Sequence, residues 1–200
     1  KQGVDQAVKY EKALDDLSAL TGVTGQGLKE LQGVEQALRK IEVGGAEIVN
    51  TGPEILESLK FVGGARPELL KDADALGAVA KEAIILSKAS GDDLPSSVTA
   101  LTTVLGQFSL KAKDSNRVIN ELAAGAKAGA SEIPDTTDAL KEFGTTAKSV
   151  NATTSESVAL IQLLADRQLK GSEAGTQLRN VLTKLAAADV LPRTAQDEFK

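Results

Sequence analysis

An all-α, multi-helix fold of helical hairpins is what the sequence predicts, and three observations carry that expectation. Apolar residues recur at intervals of three and four along most of the chain, and no stretch reads as a period-two alternation. Glycine, proline and capping residues recur between those runs, where helices start and stop. Aromatic residues make up only 2% of a chain that is 42% apolar, so Leu, Ile, Val and Ala must build the core, as suits closely packed helices.

The first helix is expected over residues 2–20, marked by Val4, Ala7, Val8, Ala13, Leu14, Leu17 and Leu20. Gly22 stands where a glycine ends a helix. Thr24 can cap the next helix, whose apolar side carries Leu28, Leu31, Val34, Leu38 and Ile41. The connection runs Gly22-Val23-Thr24-Gly25-Gln26-Gly27-Leu28-Lys29-Glu30. Its glycines, Gly22 and Gly27, have the spacing of a phosphate-binding loop. Such a loop needs Lys directly after the second glycine and then Ser or Thr. Leu28 fills the lysine position, and Lys29 is followed by Glu30. A phosphate loop also joins a strand to a helix, whereas the segment before Gly22 has helical period. The stretch is therefore read as stop, cap and restart.

Beyond Gly44-Gly45, Thr51 and Glu54 have capping-box spacing, with Pro53 in the first turn. That helix should run to about Val62 and break at Gly63-Gly64. Pro67 should open a longer helix through Leu69, Leu70, Ala73, Leu76, Val79, Ala83, Ile84 and Leu86, ending at Ser90-Gly91. Within it, Asp72–Gly77 looks like the start of a calcium loop. A calcium ligand series fails at Leu76 and at Ala83, where a bidentate Glu is needed.

A repeat of about 40 residues follows, in the range of helical-hairpin units. Leu94-Pro95 aligns with Ile133-Pro134, and Ala100-Leu101 with Ala139-Leu140. Ser109-Leu110, Ala112, Ser115 and Val118 align with Ser149-Val150, Ala152, Ser155 and Val158. The two related hairpins cover about 92–130 and 131–171, and Thr153 with Glu156 forms a capping box in the second. Ser172 can cap a last helix whose stripe is Ala174, Leu178, Val181, Leu182 and Leu185, with Ala174 and Gly175 allowing a close crossing. The helical domain is thus expected over 1–190, with 191–200, including Pro192 and Phe199, as an exit segment. The chain has no Met, even at position 1, so it is expected to be a fragment of something longer.

The residue types that are missing restrict the chemistry. With no Cys and no His, the chain has no thiolate nucleophile, no Ser-His-Asp or Cys-His catalysis and no His-based zinc site. The net charge of −5 and the absence of a basic run argue against a nucleic-acid face. Asp15 and Asp16 are neighbours on a helix and point apart, while Asp92 and Asp93 precede a helix and are read as capping groups. Tyr10 is read as amphipathic packing, Phe61, Phe108 and Phe143 as plugs of the bundle, and Arg179 as a surface ion pair.

Three stretches together resemble the core region of phage tail tape-measure proteins, also called tail-length determinants or minor tail proteins. They are Leu17–Leu31, with Leu20, Thr21, Gly22 and Gly25; Ser90–Gly129; and Gly171–Ala186. The last carries the most specific pattern, G-S-x-A-G-T-x-L-R-x-x-L, in Gly171, Ser172, Ala174, Gly175, Thr176, Leu178, Arg179 and Leu182. The resemblance covers roughly residues 5–188; residues 33–89 depart from it in being richer in Gly and Pro. It implies a domain of a very long helical protein lying in several copies in the tail lumen, and in the bacterial cytoplasm during assembly. That protein would set tail length while tube subunits polymerise around it, and would take part in DNA entry. The implied partners are other copies of itself, tail-tube, tail-tip and assembly-chaperone proteins. No catalytic residue, cofactor, metal or direct nucleic-acid contact is implied. The alternatives are a helical-repeat interaction module of unrelated parentage, and an enzyme or pore-forming fragment. A pore former needs a longer apolar hairpin than Glu82–Ala89 provides.

Overall fold

The computed structural model describes residues 2–43 and 45–188. Gly44 and the expected exit segment, with Pro192 and Phe199, lie outside them. The described residues form nine α-helices and one small β-hairpin: α1 (Gln2–Thr21), α2 (Gly25–Leu38), β1 (Lys40–Val43), β2 (Ala46–Val49), α3 (Gly52–Ala65), α4 (Ala73–Ser90), α5 (Leu94–Gln107), α6 (Ser115–Ala128), α7 (Ile133–Ser149), α8 (Thr154–Ala165) and α9 (Gly171–Ala188). The all-α expectation therefore holds. Two compact units divide the chain. The first takes residues up to Thr102 with Lys111–Asn116; the second takes Thr103–Leu110 and the chain from Arg117 onward.

In the first unit, α3 packs against α1, α2 and α4 around Leu17, Leu31, Ile55, Leu56, Leu59 and Leu76, all buried. The turn between α1 and α2 forms as expected, with Gly22 at φ +71° and its N–H on Ser18 O at 2.8 Å. Thr24 stands at the cap position, yet its side chain makes no capping bond. Ile41 is not on α2. It lies in β1, in register with Ile48 of β2, and is buried. The alternation Ile41-Glu42-Val43 and Ala46-Glu47-Ile48 was there to be read, but four-residue strands are too short to outweigh the helical periodicity before them. Asn50 closes the hairpin base, its N–H on Arg39 O at 2.9 Å and its Nδ2 on Leu38 O at 3.0 Å.

The capping box of Thr51 and Glu54 opens α3 as expected. The helix does not break at Gly63-Gly64 but continues to Ala65. A Cβ on Gly63 would come 2.6 Å from Leu70 Cδ2 and 3.1 Å from Thr21 Cγ2, so this glycine serves a close contact. The burial of Ile55, Leu56, Leu59 and Val62 outweighs a glycine penalty of about 1 kcal/mol. Nor does Pro67 open a long helix. Arg66, held out of the α region before the proline, has φ −134° and ψ 71°. Only a 3-10 turn follows, Pro67–Lys71. The extended Asp72 then caps α4, accepting from Ala75 N at 2.9 Å. Gly91, at φ +77°, ends α4.

In the second unit, α7 packs against α8 and α9, with Phe108, Leu122, Leu140, Phe143, Val158 and Ile161 in its core. Phe61 of the first unit is only half-buried, its ring 4.9 Å from Lys60 Nζ. Leu94 and Ile133, paired in the sequence repeat, open α5 and α7. Thr153 and Glu156 form the second capping box, at the start of α8.

Candidate functional site

The most specific sequence pattern falls on α9. Gly171 begins the helix in the left-handed region, at φ +55°, where a side chain would be strained. From there α9 tracks along α7 in the same direction. A Cβ on Gly171 would lie 3.8 Å from Asp135 Oδ1. One turn on, a Cβ on Gly175 would clash with Ala139 O and lie 2.8 Å from Ala139 Cα and 2.7 Å from Glu142 Cβ. Another turn on, Arg179 Nη1 meets Glu142 Oε2 at 3.2 Å. Ala174 is fully buried and Leu178 nearly so. The two small residues therefore admit the close crossing that the sequence suggests, and Arg179 forms a surface ion pair across it.

Not every motif residue joins this contact. Thr176 and Leu182 are half-buried, and Ser172 is exposed. Ser172 is also not the cap: the helix already includes Gly171, and its first bond runs from Ala174 N to Lys170 O at 3.4 Å. The far half of the expected stripe stays uncovered, with Val181 51% and Leu185 62% exposed.

The first motif stretch lies in the other unit. Leu20 is 61% exposed. Thr21 Oγ1 donates to Leu17 O at 2.6 Å and accepts from Val23 N at 3.3 Å. Gly22 and Gly25 both take positive φ, +71° and +57°. These residues build a turn and present no convergent polar groups. Asp15 and Asp16 stand exposed on α1. Asp93 accepts from Ser96 N at 2.7 Å, and that bond holds its carboxyl below the usual carboxylate range. It caps the start of α5.

Polar side chains gather instead where sequence reasoning had no signal. Glu35, fully buried, accepts from Arg39 Nε at 2.8 Å, with the Tyr10 hydroxyl 3.5 Å from its other oxygen. Gly52 leaves room for this group: a Cβ there would come 2.8 Å from both Glu35 Oε1 and Tyr10 Cδ2. In the second unit Gln162 bonds to the backbone of Ser131. Both groups tie helices together. Among the described residues, no group of three or more Asp or Glu is arranged to hold a metal ion, and no helix is long and apolar enough to cross a membrane.

The geometry is that of helix-to-helix contact, and comparison with known proteins gives it a context. A family model described as phage-related minor tail protein matches residues 39–200, most of the chain. The chain belongs to this family. The match takes in the second and third motif stretches and begins after the first. The tape measure protein of Pneumococcus phage Dp-1 is similar, 26% identical over 178 residues. Those residues are 89% of this chain and 15% of that protein, so the chain spans a small part of its relative's length. No solved structure matches. Its family makes the chain part of a phage tail protein. Membership of the phage-related minor tail protein family also displaces the reading as a helical-repeat module of unrelated parentage.

Proposed function

We propose that this chain is one domain of a tape-measure protein that contributes to tail length and to tail assembly, with a part in genome ejection. The observation that carries the reading is the similarity to a protein named tape measure protein along 89% of this chain. The side-chain chemistry supports it: no Cys or His is present, the polar clusters link helices, and the motif residues of α9 serve a helix crossing. The role is structural rather than enzymatic. The domain works in the tail lumen, after assembly in the bacterial cytoplasm. There it meets other copies of itself, tail-tube and tail-tip proteins and an assembly chaperone. Its charge of −5 suits a surface that lets DNA pass without binding it.

The test is tail length by electron microscopy in a phage whose tape gene lacks the 200 codons in frame. A single helix of that length spans up to roughly 300 Å, at about 1.5 Å per residue. Shortened tails, by up to that amount, are expected. Tails of normal length would overturn the part in length setting. Absence of tails would place the domain at initiation.

A further inference from the structure

Among the described residues, two surfaces are left uncovered, and they match. The first is an open groove of about 590 Å³ between α2 and α4. The helices meet where Gly77 faces Val34; a Cβ on Gly77 would lie 2.5 Å from Val34 Cγ1. Val34, Ala37, Gly77 and Ala78 give the groove an apolar floor, and Glu30, Asp72 and Asp74 stand around it against Lys81. Such a groove fits an apolar helix face flanked by positive charge. The second surface is the C-terminal half of α9. Leu178, Val181 and Leu185 are spaced three and four apart on one face, yet only Leu178 is buried. From Gln177 to Ala187 the helix carries Arg179 and Lys184 and no acid. Arg179 is engaged by Glu142, while Lys184 stands exposed beside Leu185.

We propose that the C-terminal half of α9 in one copy docks into the α2–α4 groove of a second copy. Val181 and Leu185 lie on the apolar floor, and Lys184 faces the acidic rim. The contact is heterologous, groove to helix, so it joins copies head to tail rather than as a symmetric pair. Three helical turns bury less than the roughly 1,200–2,000 Å² of a stable complex, so association is weak and concentration-dependent. Its charged rim makes it sensitive to salt.

The absence of cysteine makes a clean test possible. Leu185→Cys and Ala78→Cys, both at exposed positions, are introduced into separate preparations of the whole chain, which are mixed and oxidised with diamide. The heterodimer is expected to predominate over both homodimers. It should fall to its statistical share in about 1 M salt, where the screening length is about 3 Å, and when Asp74→Lys is added to the groove-bearing chain. An excess of Leu185→Cys homodimer would mean that α9 pairs with its own copy. Statistical cross-linking at low salt would mean that neither surface docks. Either result overturns the proposal.

Discussion

Gln162 holds the backbone of Ser131 at two points: its Oε1 accepts from Ser131 N at 2.9 Å and its Nε2 donates to Ser131 O at 3.1 Å. Both residues are buried, and Gly129 supplies the space, since a Cβ there would come 2.8 Å from Gln162 Cβ. The bonds fasten α8 to the connection between α6 and α7. Gln162→Leu preserves the bulk and leaves a buried N–H and a buried C=O without partners. A loss of about 1–3 kcal/mol for each group is expected. It would be read from the urea midpoint, together with faster exchange of the Ser131 amide. Leu163→Gln, one residue on but exposed, should stay within about 0.5 kcal/mol of the parent.

Gly175 and Gly33 are both helical glycines, and they should respond to alanine with opposite signs. Around Gly175 the obstruction is backbone, Ala139 O and Cα, which cannot give way as a flexible side chain can. Gly175→Ala therefore separates α9 from α7 and should cost about 1–3 kcal/mol, as overpacking does. Gly33 sits inside α2 with nothing within 4 Å of a Cβ. Gly33→Ala should stabilise by about 0.5–1 kcal/mol, from helix propensity alone. Thermal unfolding of the two variants beside the parent measures both signs.

These glycines show where sequence could and could not be read. Thr51 with Glu54 and Thr153 with Glu156 were legible because a capping box is local: spacing and chemistry suffice. Gly22 and Gly91 were legible for the same reason, as each ends a helix through its own backbone conformation. Gly63 and Gly175 act instead through residues outside their own helices, Leu70 and Thr21 for the first and Ala139 for the second. Sequence distinguished them only when a stripe of small residues surrounded the glycine, as Ala174 does Gly175. The β-hairpin was missed because its strands give only two alternations each. Val181 and Leu185 looked like core because periodicity reports a face and not whether anything covers it. Gln162 and Glu35 gave no signal, since a lone polar residue among apolar ones, or a Glu beside Gln36 on a mixed helix, has many explanations before the fold is known.

The acid limb of stability should be set by capping carboxylates. Backbone bonds from Thr51 and Thr153 hold Glu54 and Glu156 below the usual carboxylate range, as the bond from Ser96 does for Asp93. A carboxyl whose folded value is lowered favours the fold fully above its unfolded value, about 4. That contribution is lost as pH falls through the folded value, because the unfolded chain then binds more protons. With no histidine, no side chain of ordinary pKa titrates between about pH 5 and 8. The melting temperature should be flat across that interval and fall below about pH 4. Glu54→Gln with Glu156→Gln keeps an acceptor at each cap and should make the fall shallower. An unchanged slope would remove these two groups from the account.

Tyr10 is the chain's only tyrosine, so its ionisation can be followed alone by ultraviolet absorbance. Burial, and then the charge of Glu35, raise its hydroxyl above the ordinary value of 10.0. The absorbance midpoint should therefore lie above that of free tyrosine and move down in Glu35→Gln, which removes the charge but keeps the shape. The same cluster should separate its members by stability. Arg39→Ala takes the charged partner from a fully buried carboxylate, at a cost of about 1.5–3 kcal/mol for a charged hydrogen bond. The value should sit at the low end, because the Arg39 side chain is 54% exposed and water screens the pair. Tyr10→Phe gives up only a contact of 3.5 Å and should cost much less. If Tyr10→Phe were the more damaging change, the hydroxyl contact from α1 would matter more than the ion pair at the end of α2.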